Sequence, residues 1–210
     1  MYYQNLENFV IDNVLTEDEK TYVYEKIKEA NERNSKKIVA TLGHTTYFFD
    51  VSEDFKNKII AKIQKYFNDE LVITELSAAK YHNATGFVPK LHPHYDGFSE
   101  SRVTFDIQLD STIEWPIVVE GKEFTLKNNQ ALIFSGTDQI HWRTLKELSN
   151  NDYTDMLFVH LSRKNNVEKI SDIEKSEREK RLNHYYELCK INRDPIKKVA
   201  YNGNNNARTN

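Results

Sequence analysis

The sequence predicts a mainly β fold: a double-stranded β-helix, or jelly roll, of cupin-like type, with N-terminal helices packed on one sheet and a further helix near the C-terminal end. Three observations lead there. Between residues 71 and 163 the chain runs as seven or so short β-type segments separated by turn residues, with no helical period. Two amphipathic helical stretches come before that region and a polar helical stretch follows it. The length, 210 residues, suits one domain with a substantial core plus a helical appendage, and strands at this spacing form a sandwich or barrel.

Taken in order, "NFVIDNVL" (8–15) reads as a short strand, and Thr16 followed by Glu19 makes a capping box that starts a helix. Val23, Ile27 and Ala30 recur at helical spacing, so one face of that helix packs and the other is solvated. "KKIVATL" and "HTTYFFDV" are strand-like. Ser52 caps a second helix whose packing face holds Phe55, Ile59, Ile63 and either Tyr66 or Phe67. The β-type runs are then "LVITELSAAKYH", "RVTFDIQL", "EWPIVVEG", "KEFTL", "QALIFSG", "QIHWRTL" and "DMLFVHLS". Glu120-Gly121 reads as a hairpin turn, and Asn128-Asn129 sits where a turn needs a residue tolerant of left-handed backbone. After Arg163 the chain turns polar. Ser171 opens a docked, mostly exposed helix that carries Ile173, Leu182, Tyr185, Tyr186 and Leu188 and ends before Pro195, with the charge run Glu174 to Arg181 as its solvated face. These boundaries give a main domain over 1–165, a C-terminal helical extension over 166–198 and a disordered tail over 199–210.

Composition narrows the function classes. The net charge of −3 provides no basic field to attract phosphates, so nucleic acid is disfavoured as a partner. A single cysteine, Cys189, cannot close an intramolecular disulfide, and "MYYQNLENFVID" lacks a secretory pattern. No apolar run approaches the roughly 20 residues a membrane helix needs. The expectation is a cytoplasmic protein that does not enter a membrane.

The segment "KLHPHYDG" (90–97) places His92, His94 and Asp96 within five residues. Alone it reads as a polar turn rather than a site. A second element changes that reading: "ALIFSGTDQIHWR" sets His141 inside an apolar strand, where an imidazole needs a partner and a metal is one such partner. Two imidazoles and one carboxylate on one face of an octahedral metal leave positions open for substrate and dioxygen. A jelly roll can bring the His94-x-Asp96 pair and His141 together from neighbouring strands. Strand parity puts Arg143 on the same face as His141.

With these segments in view, the sequence resembles the 2-oxoglutarate- and Fe(II)-dependent oxygenases (dioxygenases), in the prolyl-hydroxylase-like branch. The resemblance runs from about Phe9 to Leu161, through "FVIDNVLTEDE", "AKYHNATG", "LHPHYDG", "RVTFDIQLD", "QALIFSG" and "IHWR". It implies that His94, Asp96 and His141 hold Fe(II). It also implies that the enzyme couples oxidative decarboxylation of 2-oxoglutarate to succinate, using O2, with hydroxylation of a substrate C–H bond, and that ascorbate serves as reductant. His94 rather than His92 matches the ligand position, because only His94 has an acid two residues on. Asp96 favours hydroxylation or desaturation, since halogenating relatives lack that carboxylate. Members of the branch carry Lys or Arg about ten residues past the distal histidine for the far carboxylate of 2-oxoglutarate, and this chain has Asn151 there. Arg143 is the substitute, with a loop-edge salt bridge as its other reading and Lys80 or Arg163 next in line. Tyr81 matches a tyrosine that hydrogen-bonds the same carboxylate, or is a core aromatic. Arg102 reads as structural, Trp115 and Trp142 as packing or pocket lining, and His160 as a core or rim histidine. The substrate expected is a small molecule or a residue on a protein or peptide. A cupin-like metal protein that binds a small ligand without turnover, and a structural jelly roll with incidental histidines, are the competing classes.

Overall fold

A computed structural model describes residues 6–83, 87–97, 102–164 and 169–188. Its strands are β1 (Phe9–Ile11), β2 (Lys36–Val39), β3 (His44–Phe48), β4 (Leu71–His82), β5 (Leu91–His94), β6 (Val103–Ser111), β7 (Ile117–Val119), β8 (Lys122–Phe124), β9 (Ala131–Phe134), β10 (His141–Arg143) and β11 (Tyr153–Arg163), and its helices are α1 (Glu17–Glu32), α2 (Glu53–Gln64) and α3 (Asp172–Leu188). The strands form a seven-stranded sheet, order β1-β9-β6-β11-β4-β3-β2, and a four-stranded sheet, order β5-β10-β7-β8. Every pairing is antiparallel. This is the jelly roll that the strand spacing predicts.

Local chemistry sets the element boundaries. Thr16 accepts from the Glu19 N–H while the Glu19 carboxylate accepts from the Thr16 N–H, closing the capping box of α1. Ser52 caps α2 by accepting from the Phe55 N–H, without the reciprocal half of a capping box. The β7–β8 hairpin turns through Glu120 and Gly121, both at positive φ, which suits Gly121 and is unfavourable for Glu120, and Asn129 takes the left-handed conformation that its residue type tolerates. The first strand is shorter than the sequence suggests, because Val14 and Leu15 leave the sheet to pack in the core.

Alternation along the long strands produces two distinct layers. On β6, Val103, Phe105, Ile107 and Leu109 point outward, where they meet Val23 of α1 and Phe55, Ile59 and Ile63 of α2 in one core cluster. Each such side chain, fully buried, contributes about 1.5–3 kcal/mol. Phe67 joins this cluster, whereas Tyr66 stays largely exposed and rests on Phe9. The opposite face of the sheet looks onto the smaller sheet: Tyr81, Phe134 and Met156 pack there with Trp115, Ile117, Val119 and Phe124.

Helix α3 lies against the smaller sheet, and here the charge-run reading is corrected. Arg178, inside the run expected to face solvent, is buried and pairs with the buried Asp138. Its guanidinium also lies 5.9 Å from the Tyr95 ring centroid. The apolar Ile173 and Leu188 are the exposed ones. Further anchors are Tyr186, whose hydroxyl donates to the Pro93 carbonyl at 2.7 Å, and Arg181, which pairs with Glu120. Helix and sheet thus join through ion pairs and tyrosines, which a hydrophobic period does not reveal. The predicted tail over 199–210, and Cys189, lie outside the described residues. Among the described residues no helix is long and apolar enough to cross a membrane.

Candidate metal centre and its cavity

β5 and β10 are neighbours, and their register sets His94 directly opposite His141. The two imidazole centroids are 4.1 Å apart. Asp96, just beyond the end of β5, places Oδ1 3.4 Å from His94 Nε2 and 3.2 Å from His141 Nε2. Candidate ligand atoms of the three residues all lie within 4.8 Å of one another.

The tautomers follow from the backbone. His94 Nδ1 lies 2.8 Å from the His92 carbonyl and His141 Nδ1 3.1 Å from the Gln139 carbonyl. A carbonyl only accepts, so each Nδ1 carries its proton and each Nε2 faces Asp96 as the nitrogen that would ligate a metal once deprotonated, the arrangement of a metal-ligating histidine with its outer partner. His92 therefore contributes through its backbone, while its ring stands 6.4 Å from that of Tyr186.

Asp96 is fixed from behind. Thr104 Oγ donates to Asp96 Oδ2 at 3.2 Å and accepts from the Gly136 N–H at 3.1 Å, while Asp96 N–H donates to the Gly136 carbonyl at 2.8 Å. A β-carbon at Gly136 would collide with both Asp96 Oδ2 and Thr104 Oγ, so only glycine allows this approach. Burial alone would raise the Asp96 carboxyl, but the His141 and His94 imidazoles hold it well below the usual range. Burial pushes His94 down, and the Asp96 carboxylate outweighs it and leaves His94 raised; His141, where burial dominates, is lowered.

The three residues border a cavity of about 160 Å³ between the sheets, lined also by Leu91, Asp106, Ile117, Arg143 and Phe158. Arg143 is 3% exposed; its guanidinium donates to the Trp115 carbonyl and to Met156 Sδ at 3.6 Å and stacks 5.1 Å from the Trp115 ring. Among the described residues it makes no ion pair with a carboxylate. Tyr81 lines the same cavity, edge-on to Trp115 with centroids 5.1 Å apart, and burial raises its hydroxyl to about 12. The other basic candidates are engaged elsewhere: Lys80 with Asp155 at 3.3 Å, Arg163 with Asp69 at 2.9 Å, and Arg102 with Glu75 at 3.5 Å. Trp115 is buried core, and Trp142 faces α3, 5.6 Å from Tyr185.

Two cavity residues carry more than the sequence reading gave them. His160 sets Nε2 3.8 Å from Asp96 Oδ2 and Nδ1 3.7 Å from Glu75. Asp106, which the reading passed over, is a buried acid on the inner face of β6. The signal available was the polar set Thr104, Asp106 and Gln108 alternating with apolar residues on a strand that other runs flank on both sides.

No family model and no curated protein matches the sequence. Solved structures match in fold. The viral collagen prolyl hydroxylase vCPH of Paramecium Bursaria Chlorella virus-1, in its 2-oxoglutarate complex, superposes with a TM-score of 0.53 at 12% identity, covering 79% of this chain and 96% of that one. HygX from Streptomyces hygroscopicus, with nickel, 2-oxoglutarate and hygromycin B bound, gives 0.56 at 11% identity over 77% of this chain and 84% of that one. A prolyl hydroxylase from Trichoplax adhaerens, in complex with a hypoxia inducible factor peptide fragment, gives 0.52 at 12% identity over 73% and 82%. The fold of this chain is thus the jelly roll of the 2-oxoglutarate- and Fe(II)-dependent oxygenases, prolyl hydroxylases among them.

Proposed function

We propose that the chain is an Fe(II)- and 2-oxoglutarate-dependent oxygenase that hydroxylates a C–H bond of a peptide side chain or a small molecule. The observation that carries this is the pairing, in one cavity, of a largely enclosed His94-Asp96-His141 cluster with Arg143, a buried cation that makes no ion pair with a carboxylate among the described residues. The donor set suits a divalent metal: two Nε2 lone pairs and a carboxylate converge, and both histidines are oriented by carbonyls. His94, Asp96 and His141 would hold iron, which when bound supplies the redox chemistry that activates dioxygen against an unreactive C–H bond.

The remaining residues bind and orient. A buried guanidinium is costly without an anion, and a carboxylate satisfies its fork geometry, so Arg143 takes the far carboxylate of 2-oxoglutarate with Tyr81 beside it. Leu91, Ile117 and Phe158 give that cosubstrate an apolar wall and keep bulk water from it. The neighbours include one with a bound peptide and one with a bound small molecule, which supports both substrate classes for this chain. The acidic balance and single cysteine support a cytoplasmic protein acting on something other than nucleic acid.

Succinate release from 2-oxoglutarate, with Fe(II) and ascorbate, tests the proposal. Turnover that requires iron is expected, even at a slow uncoupled rate without the primary substrate. Metal binding with no succinate across a panel of peptide and small-molecule substrates would instead support a cupin-like binding protein.

A further inference from the structure

Three polar side chains stand in a row on the inner face of β6. Thr104 is satisfied by Asp96 and the Gly136 N–H, and Gln108 donates to the Leu126 carbonyl at 3.0 Å. Asp106, between them, is 5% exposed, and its Oδ1 has no hydrogen-bond partner among the described residues. Buried polar atoms are paired in the great majority of cases, so an unpaired one in a cavity wall points to a ligand atom. The same cavity holds the metal cluster and Arg143, so Asp106 shares the space the cosubstrate would occupy.

The protonation state decides what Asp106 offers. A buried, unpaired carboxylate is costly, and Asp96 in the same cavity adds a like charge. Burial first, and Asp96 second, push Asp106 up to about 7, against the opposing pull of His160 and Arg143. As an anion it would repel a dicarboxylate; as an acid it adds a donor to a cavity that already presents the Arg143 guanidinium and the Tyr81 hydroxyl. We propose that Asp106 binds the cosubstrate as a neutral carboxylic acid, donating a hydrogen bond to an oxygen of a 2-oxo dicarboxylate held between the metal cluster and Arg143. This rests on the oxygenase reading above. Asp106 then helps select a 2-oxo acid over an apolar ligand of similar size.

Calorimetric titration of 2-oxoglutarate into the anaerobic Mn(II)-loaded protein tests this without turnover. Asp106→Asn keeps a donor at the same place, and binding within about threefold of wild type is expected. Asp106→Leu keeps the size and loses the donor. A hydrogen bond to a charged group is worth enough that binding should weaken by roughly 10- to 100-fold, with metal stoichiometry unchanged. Wild-type affinity in Asp106→Leu, or tighter binding in Asp106→Asn, would overturn the donor role alone, the latter by exposing repulsion from an ionised Asp106. A wild-type protein that takes up Mn(II) but no 2-oxoglutarate would overturn the oxygenase reading and this inference together.

Discussion

The two faces of the seven-stranded sheet are made by the same strands and do opposite work. On β6 the outward residues Val103, Phe105, Ile107 and Leu109 are apolar and fully enclosed by helices, while the inward Thr104, Asp106 and Gln108 are polar. On β11 the outward Leu157, Val159 and Leu161 are apolar throughout, whereas the inward side sets His160 beside the apolar Met156 and Phe158. The outer face is an oily layer that supplies stability, and the inner face spends some of that stability on holding charges away from water. The lesson is that one strand can separate folding from chemistry residue by residue, because its side chains alternate.

Substitutions on the two faces should therefore fail in different ways. The largest effect is expected at the inner face: anaerobic Fe(II) titration should saturate at one metal per chain in the wild type, and His141→Ala should abolish it. Unchanged metal binding in that variant would remove His141 from the centre. Next is the outer face, where Phe105→Ala leaves a cavity in a dry layer and should cost about 3–5 kcal/mol by urea unfolding, while the folded fraction still takes up metal at the wild-type ratio. Loss of metal from folded Phe105→Ala protein would show that the faces are coupled after all.

The smallest effect is a pH dependence. The Asp106 carboxyl is raised from 3.8 to about 7, so between those values the native state holds a proton that the unfolded chain has released. The contribution is fully present below pH 3.8 and lost as pH rises toward and past 7, by a few kcal/mol at most. Urea unfolding of wild type and Asp106→Asn at pH 5 and pH 8 should show their stability difference shifting in favour of the variant at the higher pH. A difference that does not change with pH would mean that Asp106 is neither buried nor isolated in the way described.

Much of this layout is legible in the sequence where the cause is local. Thr16 with Glu19, Ser52 with Phe55, and Glu120-Gly121 each act within four residues, and each forms the cap or turn its composition implies. His94, Asp96 and His141 stand out only in combination, an acid two residues after a histidine and a later histidine inside an apolar strand, on strands able to meet. The less legible features depend on partners distant in sequence. Arg178 looks like one more charge on an exposed helix, and only Asp138, forty positions away, makes it a buried residue. Asp106 sits in an alternating strand that reads equally well as half-exposed, until a second sheet closes over its polar side. Phe67 rather than Tyr66 enters the core because α2 ends at Gln64 and the following turn swings the later aromatic inward.

The proline between the two histidines has a consequence of a different kind. Among the described residues β5 is an edge strand, and edge strands invite pairing with other chains. Pro93 has no N–H to offer an intruding strand, and its carbonyl is taken by the Tyr186 hydroxyl of α3. The strand bearing His94 thus offers an incoming strand neither the N–H nor the carbonyl of Pro93, so the segment richest in chemistry is a poorer template for strand pairing.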